Sequence, residues 1–137
     1  MSTYSNEAKE NTKAALIKTP AGMRFVAYLS LMNKQDYDRL ETYINESFHK
    51  MILMTIPTKS RVLDAKATIK LNGRLKVKEI LHVQDQLVGV ALESEKQSGL
   101  LYCEIGIQEE YPHLVSHYFL APMTEFKPES EDSADAK

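Results

Sequence analysis

The first residues whose types and spacing could do chemistry are His113 and His117, four positions apart in "YPHLVSHYF" (111–119). On a helix an i, i+4 pair faces one way and can clasp a metal ion. On a strand the two share a face but lie roughly 13 Å apart, whereas zinc needs its ligand nitrogens ~2 Å away. Pro112 and the β-rich "LVSHYF" favour a strand, so no metal site is expected. His113, at the strand's start, reads as solvent-exposed. His117, mid-strand, reads either as a hydrogen-bonded core histidine or as a pocket-lining acid or base.

Glu79 breaks a pattern. It occupies the Leu75–Val77–x–Leu81–Val83 face of an alternating stretch, where an apolar residue is expected. Desolvation raises a carboxyl pKa among aliphatics, which suits general acid/base work near neutral pH. A β-bulge that turns Glu79 outward, or a surface ion pair, is the competing reading. Tyr102 and Glu104 share the more polar face of the third strand and line a pocket if that face does. If the Leu101–Cys103–Ile105–Ile107 face is the inner one, they are exposed or at a dimer interface. Tyr28, Tyr43 and Tyr118 could reach a pocket with their hydroxyls, although a tyrosine on an apolar stripe is often core with one satisfied oxygen. Cys103 has no visible activator and reads as a small core residue. There is no G-x-S-x-G, phosphate-binding loop, dinucleotide fingerprint or H-E-x-x-H, which disfavours serine hydrolase, NTPase and dehydrogenase chemistry.

The elements that must position these residues follow from periodicity. The chain has 137 residues, the size of one domain. Thr19-Pro20 reads as a helix start. Phe25, Leu29 and Met32 then fall on one helical face. Asp36 caps a second helix with Asp38 in its first turn; its stripe is Tyr37, Leu40, Tyr43, Ile44, Phe48 and Met51. Pro57 ends that pattern. A third helix over "SRVLDAKATIKLNG", capped by Ser60, stops at Asn72-Gly73. Beyond Gly73 the period changes from 3.6 to 2 across four stretches with short links. The fold class predicted is therefore α+β, with three N-terminal helices packed on a curved four-stranded antiparallel sheet. Residues 1–18 read as a polar, partly disordered lead, 19–126 as one domain, and 127–137 as an acidic disordered tail.

Charge narrows the partners. The net charge is −2, and the tail "KPESEDSADAK" accounts for it with two lysines and four acids. A balanced domain without a basic stripe is a poor nucleic-acid binder. No apolar run approaches ~18 residues, so no membrane span is expected. The polar N-terminus reads as neither signal nor transit peptide. A single cysteine suits a reducing, cytoplasmic setting and excludes a Cys-rich zinc framework.

Three stretches, "FVAYLSLMNKQDYDRLETYINESF", "GRLKVKEI" and "EYPHLVSHYFLAP", together with the order of elements, resemble the cone-shaped fold of nuclear transport factor two and its relatives. That superfamily includes ketosteroid isomerase, scytalone dehydratase and SnoaL-like polyketide cyclases. The resemblance spans about residues 20–123. It implies a pocket for an apolar small molecule between helices and sheet, no cofactor, and a homodimer through the sheet. The isomerase and the cyclases place an aspartate in that pocket, for which no motif equivalent stands here; Asp36 and Asp38 read as caps. Two functions follow as expectations. One is a cofactor-independent isomerase, dehydratase or cyclase acting on a polyketide- or terpenoid-type metabolite, with Glu79 and His117 as the acid/base pair and Tyr28, Tyr43, Tyr102, Glu104, His113 and Tyr118 lining the pocket. The other is a non-catalytic ligand carrier or dimeric interaction module.

Overall fold

A computed structural model of the chain describes residues 12–123. Expectations for residues 1–11 and for the acidic tail lie outside this range. A short helical segment, α1 (12–17), precedes α2 (Pro20–Lys34), α3 (Tyr37–Ser47), α4 (Lys50–Thr55) and α5 (Thr58–Asn72). The strands β1 (Leu75–Val83), β2 (Leu87–Ser94), β3 (Leu100–Ile107) and β4 (Val115–Pro122) form one antiparallel sheet in the order β1-β2-β3-β4. The class is α+β. Among the described residues no helix is long and apolar enough to cross a membrane.

The start of α2 is built as its residue types require. The Thr19 hydroxyl accepts from the Gly22 amide at 3.0 Å, and Pro20 fills the first helical position, where no amide is needed. Leu16 of α1 is buried against the core. The close approach rests on Gly22, because a Cβ there would overlap the Leu16 carbonyl. The segment expected to be a loose lead is thus docked from residue 12 onward.

The helical region differs from the three helices predicted. α3 stops at Ser47 rather than running to Met51. Phe48 is extended, bridges Val115 in parallel, and is followed by His49 N–H donating to the Val115 carbonyl at 2.7 Å. Backbone pairing with β4 outcompetes another helical turn here. The His49 ring then accepts from the Met51 amide at 3.0 Å and starts α4, which leaves Met51 exposed. α5 begins at Thr58, directly after Pro57, and Ser60 is not its cap.

Phe25, Tyr28 and Met32 of α2, Leu40 and Ile44 of α3, and Val62, Ala65 and Ile69 of α5 are buried with one sheet face. That face carries Val88, Val90 and Leu92 of β2 with Cys103 and Ile105 of β3. Each large aliphatic or aromatic side chain so buried contributes about 1.5–3 kcal/mol of transfer free energy. Among the described residues no helix covers the opposite face of the sheet. Two register shifts decide what β1 shows on each side. Val77 pairs with Leu92 and Glu79 with Ala91; then Ile80 pairs with Val90 and His82 with Gly89. Val77, Ile80 and Val83 therefore sit in register with the core residues of β2, while Lys76, Glu79 and His82 sit in register with the open face. Glu79 is exposed. The outward-turning bulge is the arrangement present, and Glu79 does not stand among aliphatics.

Candidate functional site

Beside β4, the outer strand of the sheet, runs a groove of about 440 Å³ against α5, lined by Tyr28, Arg61, Asp64, Thr68, Tyr118 and Leu120 among others. α2 supplies Tyr28, and β4 supplies Tyr118 across from it. Their rings are 5.0 Å apart at 50°. Burial raises both phenols above their ordinary range, so they stay protonated at any physiological pH. Each neutral phenol has one O–H to donate. Arg61 is 8% exposed. Its Nε and Nη2 donate to the Ile56 and Ile52 carbonyls at 2.9 and 3.0 Å, and its guanidinium lies 5.3 Å from the centre of the Phe48 ring. Burial lowers its pKa from an ordinary value so high that it remains charged. Asp64, one turn along α5, is exposed at the rim. An apolar hollow with a few converging polar groups is the usual form of a small-molecule site.

The open face of the sheet carries a second cluster. Glu104 accepts from the Tyr102 hydroxyl through Oε1 and from His117 Nε2 through Oε2 at 2.8 Å. His82 Nε2 lies 3.9 Å from Oε1, buried and without a hydrogen bond. The Tyr102 bond, then that of His117, holds the Glu104 carboxyl below its usual range although partial burial opposes this. Burial, and then the same bond, pushes the Tyr102 phenol up. Gly89 makes the space: a Cβ there would fall 2.5 Å from both the His82 ring and the Tyr102 oxygen. The result is a carboxylate fixed in its ionised form on a platform. None of the three grooves described in this section is lined by the cluster.

Tyr43 and His113 belong to a third arrangement. Arg24 donates through Nε to the His113 carbonyl at 3.0 Å, through Nη2 to the Pro112 carbonyl at 2.7 Å, and through Nη1 to the Tyr43 hydroxyl at 3.3 Å. His113 has φ 60°, a conformation histidine tolerates better than most residues, and its ring Nδ1 lies 3.2 Å from the Gln108 carbonyl. These contacts fasten the β3–β4 connection to α2. They border a shallow hollow of about 630 Å³. Another, of about 560 Å³ between α2 and β1, is walled by Phe25, Val26 and Leu29 and rimmed by lysines.

The residues expected in one pocket are thus in four places. Tyr28 and Tyr118 meet in the α5–β4 groove. Tyr102, Glu104 and His117 meet on the open face, because the Leu101–Cys103–Ile105–Ile107 side of β3 is the inner one. Tyr43 and His113 serve the Arg24 clamp. Glu79 stands alone on β1, three strand spacings or roughly 14 Å from β4. It does not pair with His117, whose carboxylate partner is Glu104. Sequence reasoning missed Arg61, hidden as an ordinary polar position of an amphipathic helix, and Asp64 beside it. His82 was visible on the polar side of its strand, but its partners depend on the bulges. No three acidic, cysteine or histidine side chains among the described residues are placed to hold a metal ion. Cys103 is buried, which pushes its thiol up to about 12 and makes it a poor nucleophile.

Compared with known protein families, curated proteins and solved structures, the chain matches none.

Proposed function

We propose that this protein binds a small apolar molecule in the groove between α5 and β4. The supporting observation is that two neutral tyrosines and a buried guanidinium line one 440 Å³ hollow beside Ile56, Ala65 and Leu120. The chain contains no tryptophan, which gives a clean probe. A neutral apolar fluorophore, 1-naphthylmethanol, should bind the native protein saturably. Thr68→Trp fills the groove and should abolish that binding while the circular dichroism spectrum is retained. Equal binding by both proteins contradicts the assignment.

Asp64 favours a second, catalytic reading. A carboxylate at the rim and hydroxyl donors inside are the parts needed to move a proton from carbon while an oxyanion develops. This is isomerase, dehydratase or cyclase chemistry without a cofactor, carried by Asp64 rather than by Glu79 and His117. Its test is deuterium incorporation at the α-carbon of 2-tetralone in D2O. Acceleration by the native protein that is absent in Asp64→Asn supports it; equal rates with both proteins refute it. A homodimer through the sheet would use the open face, where Phe119 is 41% exposed. Sedimentation of Phe119→Asp at half the native mass is the outcome that reading requires.

A further inference from the structure

We propose that Arg61 anchors an acidic head group, so that the ligand of the α5–β4 groove is a carboxylate carried on an apolar body. This rests on the groove being the binding site. Arg61 carries a full charge and is 8% exposed, and a charge so largely withdrawn from water is costly unless a counter-charge compensates it. Among the described residues no carboxylate lies within 4.0 Å of its guanidinium, and two of its three nitrogens are spent on the Ile52 and Ile56 carbonyls. Nη1 makes no hydrogen bond among the described residues, yet the one buried unsatisfied polar side-chain atom among them is His82 Nε2. Nη1 therefore keeps exposed surface, and Arg61 is part of the groove wall.

The neighbours suit an oxyanion. Tyr28 and Tyr118 line the same groove as neutral phenols, and a carboxylate oxygen there would take an O–H from one of them. A carboxylate bridging Nη1 and that hydroxyl gains charge-assisted hydrogen bonds in a partly dry site. Asp64 is the opposing charge, but it is exposed at the rim, where water screens it. Ile56, Ala65 and Leu120 leave the remaining wall apolar, which calls for a ligand with one charged end.

The test uses matched pairs on the full native chain: benzoate, 1-naphthoate and octanoate against benzyl alcohol, 1-naphthylmethanol and octanol. Binding is read by titration calorimetry at pH 7. The acids should bind at least about tenfold more tightly than the alcohols, the effect of one charge-assisted hydrogen-bonded contact. Phenylglyoxal modification of Arg61, followed by peptide mass mapping, should be slowed by the acids and not by the alcohols. Equal affinity within each pair overturns the anchor while leaving the groove intact. No saturable binding by either series overturns the groove and the anchor together. Arg61→Met should bring the acids down to the affinity of the alcohols. If that variant fails to fold, the comparison of pairs on native protein decides alone.

Discussion

Replacing Glu104 with Gln isolates what its charge contributes on the open face. The folded carboxyl sits below its ordinary range because Tyr102 and His117 donate to it. A depressed folded pKa stabilises the protein above the unfolded value of about 4.3, and that stability fades as pH falls through the folded value. Glu104→Gln should therefore cost about 1 kcal/mol at pH 7, the scale of one partly exposed charged hydrogen bond, and nothing near pH 2. Urea unfolding at both pH values checks this; a gap of the same size at both would show that the charge plays no part. At this scale the sequence was half legible. Alternation placed Tyr102 and Glu104 on one face, and that holds. It could not reveal that Glu79 turns outward, because one extra residue in β1 reverses the side chains after it until the second register shift turns them back.

Two connections carry the element scale. The turn from α1 into α2 depends on Gly22, whose missing Cβ admits the Leu16 carbonyl. Gly22→Ala forces that backbone away and uncovers Leu16, so it should destabilise by about 1–3 kcal/mol. Hydrogen exchange of residues 12–18 should rise with it; native protection there would contradict the docking described. The connection from β3 to β4 depends on Arg24, which donates to the Pro112 and His113 carbonyls. Arg24→Met should cost about 1–3 kcal/mol and open residues 108–114 to chymotryptic nicking after Leu114. Unchanged nicking would mean the clamp is dispensable. The starts of α2 and α3 were readable from Thr19-Pro20 and Asp36, since caps are local chemistry. The end of α3 was not, because Phe48 leaves the helix to bridge Val115, which lies 67 positions away (115 − 48).

At the scale of the whole molecule, the α+β class and the order of the meander follow from periodicity and short links, and both are present. The site was far less legible. The groove needs Tyr28 from α2, Arg61 from α5 and Tyr118 from β4, and no spacing along the chain announces that they meet. A ligand that binds only the folded chain also reports on global stability. At 100 times its dissociation constant it should add about 2.7 kcal/mol, or roughly 9 °C in the melting temperature of a domain this size. Differential scanning fluorimetry with 1-naphthoate should show that rise in native protein and none in Thr68→Trp; equal rises would place the ligand elsewhere. The central claim, that the α5–β4 groove is the binding site, is tested most directly by two-dimensional NMR of isotope-labelled protein titrated with 1-naphthoate. Saturable shifts centred on Tyr28, Arg61, Thr68 and Tyr118 are predicted. Shifts confined to His82, Tyr102, Glu104 and His117, or none at all, would contradict it.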